Sequence, residues 1–340
     1  MTPPSLVIQT SFLGDVVLTT PLIARLAERG PVDVVTTAAG AALLSGNPAI
    51  RRVVPYDKRG DARGVGGLQR IARKVRAADR GAVAYCVQGS IRTATLAVAA
   101  RYRVRIGFDR SAGRWLYTER APYRADRHHA ERILRLTAGE APLSETALHP
   151  RLYPGDAERA DVDALLRQAS VSPATPLLAL APGSIWATKR WPYFPELARR
   201  LSSNHRVVVI GSAADGPLAR EVATAAGAGV IDATGRLSLL GSAELIRRAA
   251  LLVTNDSAPQ HLASAMGTPT LSIFGPTVPA FGFGPLAPGS AVIGHDTLAC
   301  RPCHAHGPER CPLDHWRCMR ELTVETVVTR AAELLAPPRT

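Results

Sequence analysis

The chain has 340 residues, more than the roughly 250–300 that one hydrophobic core usually supports, so two domains are expected. Its 46% hydrophobic and 20% charged residues are typical of a globular protein, and no apolar run approaches the roughly 18 residues that a membrane helix requires. The first residues, MTPPSLVIQTSFLGDVV, have no basic segment ahead of the apolar ones, so we predict no secretory signal and a cytoplasmic location.

The net charge of +13 lies mostly in the first half of the chain. Residues 1–170 hold 26 Lys and Arg against 16 Asp and Glu, and ten of the basic residues lie between Arg51 and Arg80. This excess suits an anionic partner: a phosphorylated substrate, an acidic membrane surface or nucleic acid. Few aromatic residues stand in the basic stretch for bases to stack on, which disfavours nucleic acid. An Arg-rich solvated surface is the alternative explanation.

The first half alternates apolar strands with helical segments. Four runs have the length and β-branched content of strands: SLVIQT, VDVVTT, AVAYCVQGS and VRIGFD. Helical patterns stand between them, such as FLGDVVLTTPLIARLAERG, which ends at Gly30, and IRTATLAVAARY. This order favours a parallel sheet with crossover helices. Residues 118–154 interrupt the alternation.

The alternation then starts again. Helices are predicted for ERADVDALLRQA, FPELARRLSS, PLAREVATAAG and LLGSAELIRRA, and strands for PLLALAPG, RVVVIGS, LLVTNDS and TPTLSIFGPT. We therefore predict an α/β fold of two doubly wound domains, an N-terminal one over residues 1–160 and a C-terminal one over residues 170–322. The last segment, 323–340, is predicted as a helix that can pack back on the N-terminal domain. Ligands of such sheets bind outside the carboxyl ends of the strands, so we expect the site in a cleft between the domains.

Gly14 and Asp15 lie directly after the first strand, at the turn into a helix. A glycine permits a tight turn there, and an aspartate at a strand end is well placed to act as a general base. Alternatively, Asp15 only caps the helix. No GxGxxG pattern follows this strand, which disfavours a dinucleotide-binding dehydrogenase.

A second candidate site is LALAPGSIWATKRWP, residues 178–192. It is a strand that runs into a turn at Ser184, with Lys189 close behind. Backbone N–H groups and a lysine ammonium both stabilise negative charge, so this turn could hold a diphosphate without a metal. The spacing is not that of a Walker A loop, and a solvated surface lysine is the alternative.

The stretch NDSAPQHLASAMGTPTLSIFGPT begins at the end of another strand. Asp256 or Ser257 can cap the helix that passes through His261, which would leave the positive helix end free for a phosphate or a ribose hydroxyl. The next strand brings residues 275–277 to the same edge. His261 is either a ligand contact or a structural histidine.

Four cysteines, Cys300, Cys303, Cys311 and Cys318, lie within 19 residues and open with a CxxC pair. Four thiols at such spacing could close a tetrahedral Zn or Fe site, which would be structural because no coordination position stays open. The later spacing is not that of a common zinc ribbon, so free buried thiols are the alternative.

Together, TSFLGDVVLTTPL, APGSIWATKRWP, TNDSAPQHLASAMGTPTLSIFGPT and the C-x2-C…CPLDHWRCMREL segment resemble glycosyltransferase family 9, the ADP-heptose:lipopolysaccharide heptosyltransferases, and are most similar to the heptosyltransferase II type. The resemblance covers nearly the whole chain. It implies a GT-B architecture of two Rossmann-like domains that face each other across a cleft, with the acceptor on the first and the nucleotide sugar on the second.

The resemblance also implies an inverting transfer of L-glycero-D-manno-heptose from ADP-heptose to the inner core of lipopolysaccharide, by a peripheral protein on the cytoplasmic membrane face that needs no catalytic cofactor. In this family the residue matching Asp15 is the proposed base, the residue matching Lys189 contacts the phosphates, and the block from Asp256 to His261 lines the nucleotide-sugar site. Ala258 stands where the family usually has Gly, and Gln260 replaces a usual apolar residue.

Two other functions fit parts of the sequence. One is a related GT-B transferase that uses another nucleotide sugar, and the other is a non-enzymatic basic protein that binds nucleic acid. A preference for adenine nucleotides would favour the heptosyltransferase over the first. Strongly salt-dependent binding to DNA would favour the second.

Overall fold

The computed structural model describes residues 3–58, 60, 62–77, 79–172, 174–227 and 229–336. Arg59, Asp61 and Ala78 of the basic stretch, and residues 337–340 of the last predicted segment, lie outside the described residues. The chain divides into two compact units, residues 1–153 and 154–340. In the described part of the chain, no helix is long and apolar enough to cross a membrane.

Unit 1 (residues 1–153) is built on a six-stranded parallel sheet. Its strands are β1 (Ser5–Gln9), β2 (Val32–Thr36), β3 (Arg52–Pro55), β4 (Val83–Cys86), β5 (Val104–Phe108) and β6 (Glu119–Ala121). Its helices are α1 (Leu13–Leu18), α2 (Thr20–Ala27), α3 (Ala38–Leu43), α4 (Gly64–Lys74), α5 (Ile91–Ala99) and α6 (His129–Ala138).

Unit 2 (residues 154–340) has a second six-stranded parallel sheet. Its strands are β7 (Leu177–Ala181), β8 (Arg206–Val209), β9 (Ile231–Asp232), β10 (Ala249–Asn255), β11 (Thr270–Phe274) and β12 (Ala291–Gly294). Its helices are α7 (Asp156–Gln168), α8 (Phe194–Leu201), α9 (Gly216–Ala226), α10 (Leu239–Arg247), α11 (Ala258–Met266), α12 (Arg317–Arg320) and α13 (Val324–Leu335).

Both sheets have the strand order of a doubly wound fold. The order is β3-β2-β1-β4-β5-β6 in unit 1 and β12-β11-β10-β7-β8-β9 in unit 2. In each sheet, the order in which successive strands are added therefore reverses beside the first strand, and we call this place the reversal point. In such a sheet the loops on either side of the reversal point run in opposite directions and leave a crevice between them. Ligands bind in this crevice, at the carboxyl ends of the two strands. The reversal lies between β1 and β4 in unit 1 and between β7 and β10 in unit 2.

Strands buried on both faces form the core of each unit. All five residues of β7 and of β11 are buried, as expected when helices cover both faces of a parallel sheet. In unit 2 the apolar side chains of α8, including Phe194 and Leu197, pack with those of the sheet. The mostly apolar composition of these two strands explains why the sequence predicts them well.

The last helix contributes to the core of unit 2. Val324, Val327 and Ala331 of α13 belong to that apolar core, and the packing of this helix on the N-terminal domain stays a prediction. The helix contacts α8, β10 and β11. Its buried residues recur at helical spacing, so α13 buries that face by covering the unit 2 sheet.

Candidate active site

The side chain of Asp15 lies at the reversal point of the unit 1 sheet. It belongs to the first turn of α1, which begins directly after β1, and 15% of the side chain is exposed. The residue that caps this helix is Phe12, so the alternative that Asp15 is the N-cap is wrong. Gly14, its neighbour in the same turn, is buried. A carboxylate that is partly open at a strand end is available for proton transfer.

His129, the first residue of α6, is the neighbour of Asp15. Its Nε2 lies 3.4 Å from Oδ1 of Asp15. Burial, and then the charges of Arg132 and His128, lower the pKa of His129 to about 3, so the imidazole is neutral at neutral pH. The contact is therefore not an ion pair at neutral pH, and the ring lies beside the carboxylate without adding a positive charge that would weaken it as a base.

In unit 2, Lys189 and Asp256 form a buried ion pair. Nζ of Lys189 lies 2.6 Å from Oδ2 of Asp256, and each side chain is 10% exposed. Lys189 follows β7 and Asp256 follows β10, so the pair spans the reversal point of the second sheet. The alternative that Lys189 is a solvated surface lysine is wrong. An ammonium has three donors, so two remain for other acceptors after Asp256.

Two further side chains hold the carboxylate of Asp256. Oγ1 of Thr277 donates to its Oδ2 at 2.7 Å, and Nε2 of Gln260 donates to its Oδ1 at 3.1 Å. Thr277 comes from the turn after β11, so the predicted convergence of residues 275–277 on this edge is confirmed. Gln260 is fully buried and its Oε1 accepts no hydrogen bond from the described residues. These contacts fix the position of the ion pair.

Asn255 ties the two strand ends together. Its Oδ1 accepts from the backbone N–H of Trp191 at 3.0 Å, and its Nδ2 donates to the carbonyl of Pro182 at 2.8 Å. The residue is fully buried. Asn255 was not among the predicted site residues, although a polar residue at the end of a buried strand is a signal that marks it.

The remaining candidates of unit 2 lie around this pair. Ser257 occupies the N-cap position of α11, but its side chain does not cap the helix. Ala258 is the first residue of α11, so its backbone N–H belongs to the open end of the helix. His261 is buried within α11, with its ring centroid 6.3 Å from that of Phe283. The carbonyl of Ser184 accepts from the guanidinium of Arg190 at 2.7 Å.

The segment that holds the four cysteines, residues 300–318, packs onto this site, and we call it the cysteine segment. Gly307 has φ +88°, and a Cβ there would stand 2.9 Å from Cε of Lys189, so only glycine allows this approach. The hydroxyl of Thr188 donates to the carbonyl of Pro308, and the backbone N–H of Cys303 donates to that of Pro276 at 2.9 Å. The segment therefore covers the stem of Lys189 and the turn that carries Thr277.

Arg301 anchors the segment to the sheet. Its guanidinium donates to the carbonyls of Phe274 at 2.8 Å and Thr277 at 3.2 Å, and also to those of Gly275 and His295. One side chain thus satisfies the carbonyls where β11 and β12 end. Arg301 is not predictable from the sequence, because one arginine among many carries no signal of its own.

The four cysteines influence one another but do not form a metal site in the described residues. No three His, Cys, Asp or Glu side chains are arranged there to hold a metal ion. Burial raises the pKa of Cys318 to about 11, and burial and then neighbouring thiolates raise that of Cys303. Burial also acts on Cys311, but backbone N–H groups of residues 313–316 outweigh it and lower the pKa of that thiol.

Two six-stranded doubly wound sheets, one with a carboxylate and the other with a buried ammonium at the reversal point, place the chain among two-domain α/β proteins whose ligands bind at the carboxyl ends of the strands. A family model described as glycosyltransferase family 9 (heptosyltransferase) matches residues 68–315. The chain belongs to this family and is a glycosyltransferase.

Named relatives agree with this assignment. The chain is 30% identical to lipopolysaccharide heptosyltransferase 1 of Pseudomonas aeruginosa, over 98% of this chain and 99% of the relative. It is 28% identical to lipopolysaccharide heptosyltransferase 2 of Escherichia coli K12, over 81% and 84%. The solved structure of E. coli ADP-heptose lps heptosyltransferase II matches with a TM-score of 0.77 and 25% identity, over 98% of both chains. The predicted α/β fold of the GT-B class is confirmed.

Proposed function

We propose that this glycosyltransferase moves L-glycero-D-manno-heptose from ADP-heptose to the inner core of lipopolysaccharide. The observation that carries the proposal is family membership over most of the chain, together with full-length similarity to a named lipopolysaccharide heptosyltransferase. The site chemistry supports it, because a base at one sheet and a cation at the other are what sugar transfer from a diphosphate needs.

Asp15 is the base of the proposed reaction. An acceptor hydroxyl held beside Gly14 and Asp15 gives its proton to the carboxylate as its oxygen bonds to the anomeric carbon. The bond from that carbon to the diphosphate breaks in the same step, so ADP leaves and the configuration inverts. His129 is a positioning residue, because its neutral ring holds Oδ1 of Asp15. No cofactor takes part.

Lys189 stabilises the departing diphosphate. Its Nζ keeps one donor on Asp256 and offers the other two to phosphate oxygens, in a buried place where such charge interactions are strong. The open N-terminal end of α11, with Ser257 and Ala258, adds partial positive charge. We place Ser184 and His261 in the same nucleotide-sugar site. The methyl group of Ala258 leaves the donor less room beside the backbone than the glycine that is usual in the family.

We further propose that Cys300, Cys303, Cys311 and Cys318 take up Zn or Fe as a structural ion. Four thiols within one segment suit a soft metal, and since the described side chains are not arranged around an ion, metal uptake would have to draw the thiols together. Such an ion would stabilise the cysteine segment, which covers the side chain of Lys189. Metal analysis of the purified chain tests this: about one ion per chain, lost in a Cys300→Ser/Cys303→Ser variant, is expected, whereas a metal-free wild type with four reactive thiols would refute it.

The activity is tested by incubation with ADP-heptose and a heptose-deficient core acceptor, read by mass spectrometry. We expect the acceptor to gain the mass of one heptose, and no gain with UDP-linked or GDP-linked hexoses. Transfer from one of those donors instead would show a related GT-B transferase. Binding to DNA that weakens steeply with salt, with no transfer from any donor, would support the nucleic-acid alternative.

A further inference from the structure

Unit 1 exposes large apolar side chains at one edge. Five large hydrophobic side chains are exposed in its described part, and four of them follow the carboxyl ends of strands: Phe12 (51%), Val65 (74%), Ile91 (55%) and Trp115 (64%). They lie in the loops or first helical turns after β1, β3, β4 and β5. Because all six strands are parallel, these carboxyl ends share one edge of the sheet. We call these four residues the edge patch.

Hydrogen bonds join the loops that carry the edge patch. Nζ of Lys58 donates to the carbonyl of Thr10 at 2.8 Å, and the guanidinium of Arg92 donates to the carbonyl of Lys58 at 3.1 Å. The backbone N–H of Ala112 donates to the carbonyl of Gly89 at 2.8 Å. The loops after β1, β3, β4 and β5 are thus connected, and the four exposed apolar side chains stand on neighbouring loops of one sheet edge.

Arginines accompany three of the apolar side chains. Arg63 is the N-cap of the helix that begins beside Val65, and Arg92 directly follows Ile91. Cζ of Arg114 stands 4.7 Å from the centroid of the Trp115 ring. Arg63 and Arg92 are exposed. Apolar tips flanked by guanidinium groups are unusual on a surface that faces only water.

The acidic side chains of the same loops are engaged locally. Oδ1 of Asp57 accepts from the backbone N–H of Gly60 at 2.9 Å, and Oδ1 of Asp109 accepts from that of Tyr123 at 3.0 Å. These bonds hold the carboxylates in their own turns. Both carboxylates keep their charge but are fixed in their own turns, whereas Arg63 is two residues from Val65, Arg92 follows Ile91, and Arg114 lies against the ring of Trp115.

We propose that the edge patch docks on an anionic lipid bilayer. Trp115 lies among the lipid headgroups, and Phe12, Val65 and Ile91 enter the boundary between headgroups and acyl chains. The guanidinium groups of Arg63, Arg92 and Arg114 bind the phosphates of the headgroups. This rests on the proposed function, since Asp15 lies at the same sheet edge and the acceptor is anchored in a membrane. Docking here would bring the acceptor sugar to the base.

The experiment is co-sedimentation of the full chain with vesicles, either of phosphatidylcholine alone or of phosphatidylcholine mixed with phosphatidylglycerol. We expect the wild type to bind the anionic vesicles. Arg63→Gln/Arg92→Gln/Arg114→Gln should weaken this binding about a hundredfold, because each basic group contributes about a factor of five near an anionic surface. Val65→Ser/Ile91→Ser/Trp115→Ser should also bind weakly, whereas the control variants Val98→Ser and Arg103→Gln should bind like the wild type.

Fluorescence and activity complete the test. Anionic vesicles should shift tryptophan emission to the blue in the wild type and not in Trp115→Phe. With a membrane-embedded acceptor the apolar variant should transfer slowly, and with a de-acylated, water-soluble acceptor it should transfer at the wild-type rate. A wild type that ignores anionic vesicles, controls as defective as the variants, or a loss with the soluble acceptor would each overturn the proposal. If the wild type binds vesicles but transfers no heptose to the soluble acceptor, the proposed function fails instead.

Discussion

The carboxylate of Asp256 accepts hydrogen bonds from three side chains, those of Lys189, Thr277 and Gln260. A buried charge that loses its partner is strongly destabilising, whereas a neutral replacement of both partners is not. The effect of the pair on stability can therefore be measured separately from its proposed role in binding the donor.

A double-mutant cycle tests this coupling. Lys189→Met alone should lower the free energy of unfolding by about 3–5 kcal/mol, because it leaves Asp256 charged and buried. The double variant Lys189→Met/Asp256→Leu should recover much of that loss. Urea denaturation measures each value. Equal destabilisation in the single and double variants would show that the ion pair is not coupled as the structure indicates.

His129 makes the stability of the chain depend on pH. Burial lowers its pKa from 6.5 to about 3, so as pH falls the unfolded chain takes up this proton first. The contribution is therefore complete above about pH 6.5 and is lost as pH falls toward 3. Between about pH 7 and about pH 5 the wild type should lose about 2 kcal/mol more stability than His129→Gln.

Chemical denaturation of both proteins at the two pH values measures this difference. The comparison cancels the other histidines, which both proteins share. The same slope in wild type and variant would mean that His129 is not held neutral, and the description of its contact with Asp15 as one made by an uncharged ring would then be wrong.

At the level of elements, the buried strands were predictable and the short edge elements were not. β1, β7, β10 and β11 are mostly apolar runs, and the structure has each of them. The two-residue strand β9 and the three-residue strand β6 are too short for any periodicity to show. Helix α6 lies in residues 118–154, where the sequence alternation is interrupted, so the contact of His129 with Asp15 could not be foreseen.

The site itself was predictable only in part. Strand ends mark Asp15, Lys189 and Asp256, because parallel strands bring their carboxyl ends to one edge. The contacts that hold them, from His129, Gln260 and the cysteine segment, join residues far apart in the chain. Such pairings depend on tertiary packing, and local sequence patterns do not show which distant residues will meet. The cleft that we predicted between the two domains stays a prediction.

The cysteine segment depends on Arg301 for its attachment. Arg301→Gln removes charged donors from four backbone carbonyls at the ends of β11 and β12, and each buried carbonyl left unsatisfied costs about 1–3 kcal/mol. We expect a lower melting temperature and weaker ADP-heptose binding. The exposed Arg310→Gln in the same segment is the matched control. Wild-type stability of Arg301→Gln, measured by calorimetry, would contradict this role.

On the scale of the whole molecule, one topology occurs twice with different chemistry. Each unit has its reversal point beside its first strand, and each reversal point carries charged groups. Unit 1 carries the carboxylate of Asp15, and unit 2 carries the ammonium of Lys189. We infer a division of labour, in which unit 1 activates the acceptor and unit 2 binds the nucleotide sugar.

The most direct test of this division is a paired measurement on Asp15→Asn, with ADP-heptose affinity from calorimetry and transfer rate from mass spectrometry. The change removes the base and keeps the shape of the side chain. We predict an unchanged Kd for ADP-heptose and a transfer rate lowered by about 10²–10⁴-fold, the usual contribution of a general base. A variant that still transfers at the wild-type rate, or one that loses ADP-heptose binding, would contradict the account.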